Sequence, residues 1–327
     1  MPFFVGRHKN IGNLTHFMPK SAVSKVLAIL FLGLILCACS KPVQESGSIN
    51  VVFCPQCETA FAQAISNSEN IKCSLYDVGS EIGSLLEDKK AEVITDGSTK
   101  PAYGTPIYRR QGIMHNKFCI LSDNSVVTGS YNPTNNGDLN QNNVVFIESK
   151  TIAANYKSQF EALSKQTRRT IYHKVIINGT LVENYFCPED NCEDHVLALL
   201  QNAQNEVLYL TYSFTSDPIG DLLLNKQTQG VQVAGICEPS QISEHSECTR
   251  LGAKVYDDTG LMHHKVFIVD KSIVVTGSYN PTSNGNEFNN ENVLIIHDPN
   301  LAATFLEEYL RMESKSIALE VYLSRKN

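Results

Sequence analysis

Residues 115–134 and 263–282 align without a gap at an offset of 148, and twelve of the twenty positions are identical. A repeat of that quality restricts the chain to two copies of one folding unit, because a pattern that specifies a supersecondary structure once specifies it again wherever it recurs. The match extends outward. Tyr108–Met114 parallels Tyr256–Met262, and Thr151–Ala154 parallels Asn300–Ala303. Phe53-Cys54-Pro55, followed by an amphipathic stretch over 58–66, parallels Phe186-Cys187-Pro188, followed by 193–202. With 327 residues each copy is long enough to bury a core of its own, and an apolar fraction of 42% against 19% charged excludes a disordered or coiled-coil chain. The division expected is a leader over 1–39 and two units over 50–168 and 169–327.

The second copy gives the coarse structure of the unit. Residues 182–186 alternate as a strand, 194–203 have helical periodicity, and 206–212 are again strand-like. A helix over 217–224 and strands over 231–236 and 253–256 follow. The order β-α-β-α-β-β implies an α/β fold, a sheet with helices packed on its faces. Val266–Val269 and Ile273–Thr276 are β-branched runs separated by Asp270-Lys271-Ser272, a hairpin pattern that returns Gly277-Ser278-Tyr279-Asn280 beside His263. Strand side chains alternate, so His263 and Lys265 point to one face and His264 to the other. The same geometry is expected of His115, Lys117 and Asn132.

A site of this kind suits a phosphodiester. The anion repels nucleophiles, so its non-bridging oxygens must be neutralised: Lys117 and Lys265 supply charge, and Asn132, Asn280, Ser130 and Ser278 supply donors. Neither copy carries carboxylates at metal-ligand spacing, which points to chemistry without a metal or other cofactor. Imidazoles can serve as acid, base or nucleophile toward such a group.

The second copy reads His263-x-Lys265-x4-Asp270-x6-Gly277-Ser278-x-Asn280, with Glu291 beyond, and this resembles the signature of the phospholipase D superfamily. The resemblance covers roughly residues 50–312, and the second half is most similar to the compact exported bacterial nucleases of that superfamily. It implies two duplicated α-β-α sandwich domains related by a pseudo-two-fold axis, with one active site at their interface, and a phosphohistidine intermediate. His115, Lys117, Asn132, His263, Lys265, Asn280, Asp270 and Glu291 are the catalytic candidates, and Ser130 and Ser278 the substrate-binding ones. The first copy departs twice: Ser122 stands in place of the motif aspartate and Asn142 in place of Glu291. Glu291 is the natural orienting group for one of the two imidazoles. By resemblance His115 could be the nucleophile, but the carboxylate sits in the other copy, and both assignments stay open. His264 reads as a spare surface or strand residue, and Arg109-Arg110 as a solvated charge pair rather than a substrate clamp.

The first 38 residues contain no acid, carry Arg7, Lys9, Lys20 and Lys25, and run without a polar side chain from Val26 to Leu36. Eleven residues span roughly 16 Å as a helix, about half a bilayer core, so a cleaved export signal is the stronger reading and an uncleaved anchor the weaker. Leu36-Cys37-Ala38-Cys39-Ser40 resembles a bacterial lipobox with Cys39 as the lipid-modified residue, which implies a lipid-anchored envelope protein on the periplasmic face of the outer membrane. Plain secretion is the alternative, and translation could begin at Met18. Eight cysteines remain. Proximity suggests Cys54/Cys57, Cys187/Cys192 and Cys237/Cys248, leaving Cys73 with Cys119; the rival is a zinc site from the first two pairs.

Without residues 1–38 the chain has 23 basic and 34 acidic residues, a net charge of 23 − 34 = −11. Such a chain gains little from non-specific attraction to polyanions, so phosphate chemistry must rest on locally placed cations. The expected partner is a phosphodiester: a nucleic acid is favoured because neither copy carries long apolar insertions, and a phospholipid is the alternative. A non-catalytic phosphate-binding envelope protein is a third reading. With both half-sites on one chain, a monomer should suffice.

Overall fold

The duplication is visible strand for strand. The computed structural model describes residues 41–326, so the leader and Cys39 lie outside the described residues. The first copy contributes β1 (Val43–Glu45), β2 (Ser48–Phe53), α1 (Cys57–Ser66), β3 (Lys72–Leu75), α2 (Ser80–Asp88), β4 (Glu92–Asp96), β5 (Thr105–Ile107), β6 (Lys117–Leu121), β7 (Ser125–Gly129), β8 (Asn143–Glu148) and α3 (Lys150–Lys165). The second contributes β9 (Lys174–Ile177), β10 (Thr180–Cys187), α4 (Cys192–Gln201), β11 (Glu206–Thr211), α5 (Asp217–Thr228), β12 (Gln232–Cys237), α6 (Glu247–Arg250), β13 (Lys254–Tyr256), β14 (Lys265–Val269), β15 (Ile273–Gly277), β16 (Glu291–His297), α7 (Pro299–Glu313), β17 (Ser316–Ile317) and α8 (Leu319–Lys326). One sheet has the order β2-β8-β7-β6-β3-β4-β5, and the other contains the equivalent run β10-β16-β15-β14-β11-β12-β13. The fold is the duplicated α/β arrangement expected. The second sheet is wider, because β17 adds to one edge and β9 and β1 to the other. β1, which precedes the first copy, pairs in parallel with β9 and so belongs to the second sheet.

Local chemistry explains the elements. α3 and α7 begin at equivalent caps: Ser149 Oγ accepts from the Ile152 amide at 2.9 Å, and an Asp298 carboxylate oxygen accepts from Asn300 and Leu301. Gly129 and Gly277 have φ of 141° and 140°, and a Cβ on either would come within 2.2 Å of the carbonyl oxygen of Asn143 or Asn292. Glycine there lets the strand end lie hard against its neighbour. All four expected disulfides are present: Cys54–Cys57, Cys73–Cys119, Cys187–Cys192 and Cys237–Cys248. The sulfurs of the zinc alternative are thereby bonded to one another in pairs.

The core is more than the one cluster per copy expected from length. Each copy has a core of its own on its outer face, where α1 and α2 cover the first sheet and α4 and α5 the second. A third cluster runs across both copies, from Phe118, Ile120 and Val145 through α3 to Phe186, Val266, Leu294 and the buried face of α7. Phe118, Tyr156 and Phe186 meet edge to face, with ring centroids 4.8 and 5.0 Å apart, and so join first copy to second through packed aromatic contact. The copies therefore share an interior. Because of it, urea should unfold the chain in a single transition, and Phe186→Ala should shift that whole transition by about 3–5 kcal/mol, measured by circular dichroism. Two separated transitions, with only one moved by the substitution, would contradict a shared core.

Candidate active site

The two His-x-Lys segments enter the site on equivalent backbone ladders, each made with the opposite copy. The His115 amide donates to the Asn290 carbonyl and the Asn290 amide to the Ile113 carbonyl, both at 2.9 Å. The His263 amide donates to the Gln141 carbonyl at 2.9 Å and the Gln141 amide to the Leu261 carbonyl at 2.8 Å. A carboxylate steadies each segment from behind: Asp96 Oδ2 accepts from the Met114 amide at 2.6 Å, and Glu238 Oε2 from the Met262 amide at 2.8 Å. These ladders place the residue after Asn290 against His115 and the residue after Gln141 against His263.

The side chains cross over accordingly. His115 Nδ1 lies 2.8 and 2.9 Å from the two carboxylate oxygens of Glu291, and His263 Nδ1 lies 2.9 Å from Asn142 Oδ1. Each imidazole is thus held by a side chain of the other copy. Because a carboxylate and an amide oxygen only accept, both rings carry their proton on Nδ1. Asn142 is fixed in that orientation, since its Nδ2 donates to the Gly137 carbonyl and its Oδ1 also accepts from Ser130 Oγ.

Lys117 and Lys265 are buried beside the rings, and their Nζ atoms donate to the carbonyls of His115 and His263 at 2.9 and 2.8 Å. Tyr76 and Tyr212 wall the site symmetrically. Their rings lie 5.1 and 4.8 Å from the imidazoles and 5.4 and 5.1 Å from the ammonium groups. Burial pushes the Lys117 ammonium down to about 7, with Glu291 opposing the shift. Lys265 falls well below its usual value through burial and the nearby Lys117. Burial also lowers His115, against the pull of Glu291, and drives His263 further down, where Lys265 and Lys117 add to it. Glu291 thus counters the downward shifts of His115, Lys117 and Lys265 together, and a cluster of that cationic content favours arrival of an anion.

Other expected residues fall elsewhere. Asp270 sits in the β14–β15 turn, a full strand away from Lys265, and its carboxylate accepts from the amides of Gln204, Asn205 and Glu206. It fastens a turn and stands outside the imidazole cluster. Ser130 and Ser278 are fully buried, with their oxygens accepting from the amides of Asn143 and Asn292, so they hold strands β8 and β16 in place. Asn132 and Asn280 occupy matching turns, and the Oδ1 of each is buried without a protein partner. His264 is not a surface residue: it is fully buried between Asn143 and Glu308, at 3.3 and 3.0 Å. Arg109 is not a solvated charge, because its guanidinium binds Asn290 Oδ1 and the Phe288 carbonyl.

Tyr76, Tyr212, Asp96 and Glu238 escaped sequence reasoning. Both tyrosines follow the equivalent strands β3 and β11, but they stand 39 residues before His115 and 51 before His263, and that unequal spacing hides the match.

Residues 64–164 and 196–313 match the family described as cardiolipin synthase, PLD-like domain. The chain belongs to this family, and with it to the phospholipase D superfamily of phosphodiester-hydrolysing enzymes. It is 30% identical over 144 residues to a phospholipase D of Rickettsia prowazekii, covering 42% of this chain and 70% of that one. It is 32% identical over 123 residues to a mitochondrial cardiolipin hydrolase of Mus musculus, covering 36% of this chain and 56% of that one. The fold resembles that of a phosphatidylserine synthase of Haemophilus influenzae, with a TM-score of 0.63 and 12% identity over 84% of this chain and 88% of that one.

The lowered Lys117 has a measurable consequence. Its ammonium form is present below about 7 and lost above it. Sulfate, an anion that does not itself titrate in this range, should bind about tenfold more weakly per pH unit above that point, measured by titration calorimetry. In Lys117→Arg the guanidinium stays charged, and the decline should flatten.

Proposed function

We propose that the chain is a metal-independent phosphodiesterase in which His115 attacks phosphorus and His263 moves the proton, and that its substrate is a nucleic-acid backbone. The observation that carries the assignment is the unequal pairing of the rings. With its Nδ1 proton held by Glu291, His115 offers the Nε2 lone pair. When that nitrogen bonds to phosphorus the ring becomes positively charged for the life of the intermediate, and a carboxylate beneath it stabilises that charge. His263 has only the neutral Asn142 as partner, so its protonated form is a strong acid that releases its proton readily. The first step starts from His263 carrying a second proton on Nε2, a form the bound phosphate anion favours. The Nε2–P bond to His115 forms, the bond to the leaving oxygen breaks, and that second proton passes to the leaving oxygen. In the second, His263 takes a proton from water, the hydroxide displaces His115, and the ring is regenerated.

Lys117 and Lys265 neutralise the non-bridging oxygens in this reading, and the amides of Asn132 and Asn280 add donors. Both rings come from one chain, so a monomer suffices, with repeat units at 50–168 and 169–327. Four disulfides support an oxidising compartment, in line with export and a lipid anchor at Cys39.

Support for a nucleic acid comes from the surface beside Asn290. A cleft of about 640 Å³ is lined there by Tyr108, Arg109, Arg110, Phe288 and Asn290, with the carboxylates of Glu189 and Glu287 also in its lining. Tyr108 is 80% exposed, and its ring lies over Gly97, where any Cβ would collide with it. A fixed aromatic face beside Arg110 suits a stacked base and its phosphate. A phospholipid is the second reading, favoured by Leu139 and Leu261, which are 67% and 39% exposed on the two segments that meet at Gln141.

The test is incubation of the purified protein in EDTA with labelled single-stranded oligonucleotides and, separately, phosphatidylcholine vesicles. Oligonucleotide cleavage that resists EDTA is expected, together with a phosphoenzyme that forms in wild type and is absent in His115→Asn. Tyr108→Ala should raise KM for the oligonucleotide about tenfold with little change in kcat. Hydrolysis of the vesicles alone would replace the nucleic-acid reading with the lipid one.

A further inference from the structure

Two arginines from unrelated positions grip equivalent amides next to the two imidazoles. Arg109 Nη1 donates to Asn290 Oδ1, and its Nη2 donates to the Phe288 carbonyl at 2.9 Å. Arg311 Nη2 donates to Gln141 Oε1 at 2.8 Å. Asn290 and Gln141 are matching residues. Each directly precedes the side chain that holds a ring, Glu291 or Asn142, and each offers its carbonyl to the backbone amide of that same histidine, His115 or His263. In both places the arginine belongs to one copy and the amide it grips to the other.

The arginines themselves do not match. The position equivalent to Arg109 is Asp257, which pairs with Arg325, and the position equivalent to Arg311 is Ala162. Arg311 is held from behind by Glu308, with nitrogen-to-oxygen distances of 2.7 Å, and Glu308 also binds the buried His264. Arg109 has a different support, the Gln111 carbonyl at 3.3 Å. The copies differ at these positions, yet in each an arginine reaches the amide that precedes a ring's partner, and that recurrence at one structural location points to a demand of the site.

We propose that Arg109 and Arg311 are positioning residues with separate charges: Arg109 fixes the His115–Glu291 pair and Arg311 the His263–Asn142 pair. Each clamp sets where the opposite copy's ladder lies, and so sets the distance and angle from ring to phosphorus. Proton transfer and in-line attack are sensitive to displacements below an ångström. The division of effects between the clamps rests on the roles given to His115 and His263 above.

The experiment compares two diesters that differ in their need for an acid. A nucleoside 5′-(p-nitrophenyl) phosphate releases nitrophenolate without protonation, whereas a dinucleotide releases an alkoxide that must be protonated. Arg109→Ala should lower kcat on both by about tenfold to a hundredfold. Arg311→Ala should lower kcat to a similar degree on the dinucleotide and leave the nitrophenolate burst rate unchanged. KM should stay within about twofold in each case, since the guanidinium of Arg109 is taken up by Asn290, Phe288 and Gln111 and that of Arg311 by Glu308 and Gln141. Arg109→Ala combined with Asn290→Ala should be no worse than Arg109→Ala alone, because both remove one interaction. A nitrophenolate burst rate that falls as far as the dinucleotide rate in Arg311→Ala, additive losses in the double variant, or unchanged kcat in both single variants would overturn the proposal. A second readout is independent of turnover: the His115 Nδ1 proton resonance should broaden or shift in Arg109→Ala and persist in Arg311→Ala. If wild type cleaves neither ester while the resonances respond in this way, the functional reading fails and the clamps stand. Resonances that ignore Arg109→Ala overturn the clamp itself.

Discussion

The contact on which the structure turns is the hydrogen bond between the His115 ring and the Glu291 carboxylate, together with its counterpart between His263 and Asn142. A buried imidazole needs a partner for its inner nitrogen, and here neither copy supplies one to its own ring. That requirement forces the two sheets into one relative placement. The ladders at 113–115 with 290 and at 261–263 with 141 set the register, and the interior shared through α3 and α7 holds it. A repeat unit separated from its mate would lose a core face and half a site together.

Symmetry of backbone coexists with asymmetry of charge. Strand order, glycine turns, tyrosine walls and lysine contacts are the same in both copies, but only one of the two orienting side chains is a carboxylate. Burial of Lys117 and Lys265 around that single carboxylate lowers both ammonium groups, since one carboxylate offsets two cations. A phosphodiester carries a charge that would favour the ammonium forms of both lysines. The duplicated scaffold provides two equivalent seats, and Glu291 against Asn142 makes them unlike in charge.

Much of this was legible in the residues. The repeat, the hairpin after each histidine, the common face of His263 and Lys265 and three of the four cysteine pairs follow from local spacing, because strand alternation and loop closure act over a few residues, and Cys73–Cys119 was what remained. Asp270 shows where spacing misleads. It recurs at a fixed distance from Lys265 because the hairpin turn is a fixed length, and its carboxylate fastens that turn to three amides of the strand beside it. Ser130 and Ser278 likewise recur because they tie down strand ends. Regular spacing signals a structural demand as readily as a chemical one.

The duplication, the His-x-Lys pairs and the turn chemistry around them were determined by the sequence alone, since each depends on neighbours along the chain. Which side chain serves which ring was decided only by the tertiary structure. Glu291 lies 28 residues beyond His263 and 176 beyond His115, yet it binds His115. Asn142, which looked like a loss in the first copy, is the partner of the ring in the second. The reason is physical: with both repeats packed face to face about a common core, the end of β16 reaches the opposite copy, and proximity in space replaces proximity in sequence.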